Sequence, residues 1–150
     1  MDITMQGGEF IMAVVTTVAS FSESSSTTVT VPKEYAWDFT NNDYLLVDGK
    51  FQTVAGAEAL RVWMWKALKT PNSIYSAYST SYGSNLDDLV GKGYSSALIE
   101  SEARRIVWEC ISYNSHITGI SSFSISTSGD ILTVSFTAQT DQGEVSVNGV

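Results

Sequence analysis

His116 is the only histidine and Cys110 the only cysteine in the chain. A thiol–imidazole nucleophile would need the two to meet. They stand on either side of a predicted helix end with no supporting signature around them. A lone cysteine on a helix's apolar face reads as a packing residue. It also excludes an intramolecular disulfide and a Cys-rich zinc site. Acid chemistry would fall to Asp87, Asp88, Glu100, Glu102 and Glu109. Glycoside hydrolysis needs two carboxylates roughly 5–10 Å apart, one of them kept protonated by a dry site. Adjacent Asp87 and Asp88 in a glycine-bounded loop read more simply as a solvated turn. Glu100 and Arg104 form an i, i+4 surface pair, of the kind that contributes about 0.2–0.5 kcal/mol. The sequence contains no phosphate loop, dinucleotide fingerprint, nucleophile elbow or metal-binding histidine pair. The expectation is no catalytic, cofactor-binding or metal site, and no cofactor.

Charge narrows the partners. Eight Lys and Arg stand against sixteen Asp and Glu, for a net charge of −8. Such a surface repels phosphate backbones and anionic lipid, so neither nucleic acid nor a membrane is an expected partner. No apolar run reaches the ~20 residues that span a bilayer. Ile11–Ala19 has the apolar character of a signal-peptide core but no basic residue precedes it, so no secretion signal is expected. With 43% apolar residues in 150, the chain has material for one core without metals or disulfides.

The elements that must position any functional surface follow from periodicity. Residues 1–31 have no clear period, and Ser20–Thr30 is Ser/Thr-rich. They read as an N-terminal arm, either flexible or ordered on a partner. Tyr35, Trp37 and Phe39 alternate with Glu34, Ala36 and Asp38, which predicts a short half-buried strand. Turns are expected at Asn41–Asp43 and at Asp48-Gly49. A helix is predicted over Ala57–Lys69, with Leu60, Met64, Ala67 and Leu68 on its core face, Trp63 beside them and Trp65 pointing elsewhere; Pro71 ends it. A long connection, Ile74–Gly93, carries three tyrosines and three glycines. A second helix is predicted over Ala97–Ser112, with Ile99, Ala103, Ile106, Val107, Cys110 and Ile111 as its stripe. The period then becomes two. Phe123 and Ile125, then Leu132, Val134, Phe136 and Ala138, form a hairpin about Ser128–Asp130, and a turn at Asp141–Gly143 leads into a short third strand, Glu144–Val147. The fold class is α+β: a small single domain, residues 32–150, with two main helices packed on a mostly antiparallel sheet that ends in a β-hairpin.

A set of blocks in this frame carries a family resemblance. Trp37-Asp38-Phe39, Val47-Asp48-Gly49, Ala59-Leu60-Arg61-Val62-Trp63, Lys66-Ala67-Leu68-Lys69-Thr70 and Ala77-Tyr78-Ser79 follow one another. Tyr82-Gly83-Ser84-Asn85-Leu86-Asp87-Asp88-Leu89-Val90-Gly91, Ser101-Glu102 and the hairpin come after them. The series, about residues 34–142, resembles the XkdS-like baseplate proteins of contractile phage tails and phage-tail-like bacteriocins. These are relatives of the lysozyme-like baseplate wedge family, also called sheath initiators. The resemblance implies a structural baseplate component that joins the baseplate and hub to the first sheath ring and initiates sheath assembly. It implies six copies in a ring and, as partners, sheath protein, baseplate wedge and hub or tube proteins. The location it implies is a phage or phage-tail-like particle assembled in the bacterial cytoplasm. The family's lysozyme label leaves one alternative, a tail-associated peptidoglycan hydrolase. The family often carries Glu-Pro-Arg before the first hairpin strand. Here that stretch reads Asn114-Ser115-His116, so no arginine contact carries over.

Two docking surfaces are expected on this basis. The hairpin and final strand contain neither Lys nor Pro from Leu132 to Thr140 or from Glu144 to Val150, so nothing blunts the sheet edge. A sheath strand could extend it by β-augmentation at Leu132, Val134, Phe136, Ala138, Val145 and Val147. Val145 and Val147 are expected to lie outside the main apolar alternation and to tolerate proline. A wedge or hub loop would meet Tyr75, Tyr78, Tyr82, Gly83, Asn114, Ser115 and His116, since tyrosine favours interface centres.

Overall fold

The computed structural model describes residues 30–150; all but the last two residues of the predicted arm lie outside the described residues. Residues 33–55 fold as a small meander of short antiparallel pairs. β1 (Lys33–Tyr35) pairs with β6 (Thr53–Ala55), β2 (Trp37–Asp38) with β3 (Asp43–Tyr44), and β4 (Leu46–Val47) with β5 (Lys50–Phe51). Both predicted turns form. The Asp38 carboxylate accepts N–H groups of Thr40 and Asn41 at 2.8 and 3.2 Å. Asp48 and Gly49 both take positive φ, 51° and 72°, as a two-residue hairpin loop of this hand requires.

The predicted face of this segment is corrected. Ala36, assigned to the polar side, is buried at 5% exposure, while Tyr35 is 52% exposed. Each pair is only two or three residues long, so twist between pairs breaks the alternation that a longer strand would propagate. Ala36 donates to the Gln52 carbonyl and accepts from the Leu45 N–H, both at 2.9 Å, which holds it inward.

α1 spans Ala57–Lys69, as predicted. Glu58 lies in its first turn and Lys66 and Lys69 in its last, signs that complement the helix dipole. Gly56, at φ 66°, makes the abrupt entrance that a side-chain residue would resist. Leu60, Met64, Ala67 and Leu68 are buried, but so are Val62 and Trp65. Trp65 points away from the Leu60–Leu68 stripe, as expected, and lies against another element. The helix is covered on two sides, and Trp65 packs under the meander, 5.2 Å from the Trp37 ring and 5.7 Å from Phe39. Trp63 meets Tyr82 instead, at 6.1 Å.

α2 spans Ser96–Ile111; the Ser95 hydroxyl caps it by accepting the Leu98 N–H. Ala103, Val107, Cys110 and Ile111 are buried, with Ile106 partly so. β7 (Ile117–Ser128), β8 (Ile131–Thr140) and β9 (Gly143–Val147) form one antiparallel sheet with β8 in the middle. Val134, Phe136 and Ala138 face the core as predicted. Val145 and Val147 do too, at 4% and 1% exposure, which corrects their expected place outside the alternation. After β9 the chain returns to β8, where Val134 and Val150 exchange backbone bonds at 2.9 and 3.1 Å.

Candidate functional site: two docking faces and a turn

The 74–93 connection is stitched to the C-terminal end of α1. Ser84 donates its N–H to Thr70 O and its hydroxyl to Leu68 O, at 2.8 and 2.6 Å, and Asn72 donates to Ser84 O at 3.0 Å. These bonds satisfy carbonyls that every helix end leaves open. Gly83, at φ 104°, makes the crossing possible: a Cβ there would stand 2.7 Å from Thr70 O. A single 3₁₀ turn, Leu86–Leu89, then delivers Leu86 and Leu89 into the core. Sequence periodicity could not see this turn, because four residues carry no period.

The seven residues expected to meet a wedge or hub loop separate into three groups. Tyr75 and Tyr78 are exposed, their rings 6.4 Å apart, and Tyr78 stacks on Tyr82 at 4.7 Å. Tyr82 is half-buried, and burial pushes its phenol up to about 12. Gly83 is buried and offers no surface; its requirement is internal. Asn114, Ser115 and His116 form the turn between α2 and β7, where the Asn114 side chain accepts the His116 N–H at 3.0 Å. His116 Nδ1 lies 2.7 Å from Asp141 Oδ2, and the Asp141 N–H donates to His116 O at 3.0 Å. His116 thus ties the α2–β7 turn to the β8–β9 turn. That bond holds the Asp141 carboxyl below its ordinary range.

The side chains named for strand addition are not what an incoming strand would touch. Val134, Phe136, Ala138, Val145 and Val147 are buried, and Leu132 is partly so. The β8 backbone is paired on both sides. Only the β7 and β9 outer edges can accept a strand. The two-residue turn after β8 closes on the Thr140/Gly143 pair, and in such a hairpin every second pair exchanges both backbone bonds. Ala138/Val145 and Phe136/Val147 are the next such pairs; beyond Val147 the chain slips by one residue at Gly149, φ 74°, so that Val134 bonds Val150. The N–H and C=O groups of Glu144 and Ser146 therefore point outward. A groove of about 290 Å³ runs beside them, lined by Ala57, Glu58 and Arg61 of α1 and by Glu144, Val145, Ser146 and Asn148. β7 is the poorer edge, since register shifts at Ile117/Gly119 and Ser121/Ser124 interrupt it.

The geometry gives catalysis little support. Cys110 and His116 do not meet: the thiol faces the core near Gly83, and burial pushes it up to about 12, so the reactive thiolate is scarce at neutral pH. Asp88, Glu102 and Glu109 do line an open cleft of about 760 Å³ between the connection and α2; Asp87 and Glu100 do not. Within it Glu102 and Glu109 both grip Arg105, at 2.8 and 2.7 Å, so both carboxylates are engaged in surface ion pairs. Among the described residues, the two carboxylates with a displaced pKa, Asp38 through its turn bonds with Asn41 and Thr40, and Asp141, both move down. A general acid needs the opposite.

Comparison with known proteins agrees with this architecture. The family model described as "Contractile injection system sheath initiator" matches residues 33–143. The chain is 30% identical over 129 residues to "Phage-like element PBSX protein XkdS" of Bacillus subtilis (strain 168), covering 85% of this chain and 88% of that one. A match over that much of its length shows that the chain belongs to the contractile injection system sheath initiator family, structural baseplate proteins of phage-type tails.

Proposed function

We propose that this chain joins the baseplate and hub to the first sheath ring and starts sheath assembly without catalysing a reaction. A sheath segment adds as a fourth strand on the outer edge of β9. The observation that carries this reading is the pair of outward backbone stations at Glu144 and Ser146, on a strand that has no Lys or Pro and keeps its register with β8 from Gly143 to Val147. Six copies around the tail would offer the sheath six such edges, with wedge and hub or tube proteins as the other neighbours. Exposed Tyr75 and Tyr78 are the remaining candidates for a wedge contact.

Ser146→Pro tests it. Ser146 is exposed and its N–H faces outward, so proline there removes a donor from the free edge while sparing the bonds to β8. Proline at Val145 or Val147 would be uninformative, because each is buried and bonded to β8. The expected result is a folded protein that enters baseplates but yields tubes with little sheath. Ser146→Thr keeps the donor and should assemble normally. Full-length sheath on the proline variant, or equal damage from threonine, would sink the strand-addition reading.

A further inference from the structure

The meander carries a second surface, separate from the β9 edge. Tyr35, Tyr44 and Phe51 form a ring triangle with centroids 5.5–6.3 Å apart. Leu46 lies opposite Phe51 in register, and Val47 follows it at the hairpin tip. These five large apolar residues are each 39–58% exposed. Single exposed hydrophobes are ordinary, but Tyr35, Tyr44, Leu46 and Phe51 share one face of the paired strands, with Val47 at its rim beside Lys50, and a set of this kind marks a contact surface. The patch is held in place: Tyr44 stands 4.9 Å from Trp37, which rests on Trp65 of α1, and Lys66 Nζ lies 4.9 Å from the Tyr44 ring.

Charge around the patch chooses the occupant. Lys66 is neutralised by Glu34 at 3.1 Å. Asp38, Asp43 and Asp48 at the meander's two turns form no ion pair among the described residues, against Lys33 and Lys50 as the meander's own basic residues. A rim with three unpaired carboxylates repels another copy of this acidic chain, whose net charge is −8. It also repels anionic lipid and nucleic acid. It attracts a protein face with aliphatic or aromatic side chains at its centre and Lys or Arg at its edge, the usual pattern of complementary interfaces. We propose that Tyr35, Tyr44, Leu46, Val47 and Phe51 form a docking face for such a basic-rimmed baseplate protein, distinct from the sheath-facing edge.

The test places a photo-crosslinking phenylalanine analogue at Val47 and, separately, makes Val47→Cys for maleimide labelling. Cys110 is buried and leaves the label specific. Labelling of the folded free chain should be fast, and in purified particles slower by roughly tenfold or more, as at a desolvated interface centre. The adduct should join a different protein at a segment bearing Lys or Arg beside apolar residues. Asp43→Lys with Asp48→Lys should weaken that joining several-fold, and a Leu46→Asp/Phe51→Asp variant should fold yet stay out of particles. Equal labelling rates in free chain and particle, slow labelling already in the free chain, an adduct to a second copy of this chain, or an adduct to an acidic segment would each overturn the proposal. Full-length sheath on Ser146→Pro with normal protection at Val47 would count against the β9 reading alone, so the two fail separately.

Discussion

The two sheets of this protein use their residues in opposite ways. In the β7–β9 sheet, the strands are up to 12 residues long, and the apolar side chains of β8 and β9 face α1 and α2. In the meander, no paired stretch exceeds three residues, and every residue from Thr40 to Phe51 is exposed. Isolated two-stranded pairs are marginal in water. The meander persists because Trp37 and Phe39 clamp it to Trp65 of α1, not because its own pairing is strong. The C-terminal sheet therefore holds the stability, and the meander spends its exposed apolar side chains on presentation.

The same substitution in each sheet tests that division most sharply. Phe136 is 2% exposed and Phe51 is 58% exposed. Phe136→Ala should cost about 3–5 kcal/mol, because the lost burial is compounded by a cavity. Phe51→Ala should cost under about 1 kcal/mol, as surface changes do. Chemical denaturation of both variants reads the difference. Similar losses would mean that the meander is part of the core after all.

Next in size is Gly83→Ala, at the seam joining the connection to α1. Positive φ and a backbone oxygen 2.7 Å from the new Cβ combine there, so the loss should be about 1–3 kcal/mol. Gly91→Ala, at φ 76° with open space around it, is the control and should cost less. A Gly83 variant no worse than the Gly91 variant would show that the seam relaxes freely.

The contrast between the sheets also decides what the sequence could reveal. Helix α1 was legible to the residue, because ten of its thirteen residues are strong helix formers and Gly56 and Pro71 bracket them. The face of β8 was legible because ten alternating residues outvote any local exception. Trp63 and Trp65 could be assigned to different sides of α1 because residues two apart cannot share a face, but which element covers Trp65 could not be read. Ala36 and Tyr35 were misplaced because two- and three-residue pairs give alternation no length to act over. Val145 and Val147 looked peripheral because a five-residue strand after two turns carries a weak period, although their alternation with Glu144 and Ser146 was already the core signal. For the candidate site, a backbone ladder on the C-terminal sheet could be anticipated, but which positions face outward could not: the register turns Val145 and Val147 inward and leaves the backbone groups of Glu144 and Ser146 on the outer edge. The aromatic patch on the meander went unseen, since exposure of Tyr44, Leu46 and Phe51 together is a tertiary fact.

The smallest effect concerns how each sheet ties its turns. In the meander, Asp38 serves only its own turn, with bonds to Thr40 and Asn41. In the C-terminal sheet, His116 and Asp141 tie two turns 25 residues apart. Asp141's carboxyl is held below its ordinary range in the folded chain, chiefly by the hydrogen bond with His116. A carboxyl whose pKa falls on folding contributes stability that is fully present above its unfolded value. That contribution disappears as pH falls through the lowered folded value. Asp141→Asn should therefore be slightly less stable than the wild type near neutrality, and the gap should close in acid. The pair is surface-accessible, so solvent screening keeps the effect small. Amide exchange gives the sharper reading: the Asp141 N–H, bonded to His116 O, should exchange faster in Asp141→Asn and be unchanged in Asp38→Asn. A gap that widens in acid would reverse the sign of the linkage, and equal exchange in the two variants would show that the two sheets hold their turns in the same way.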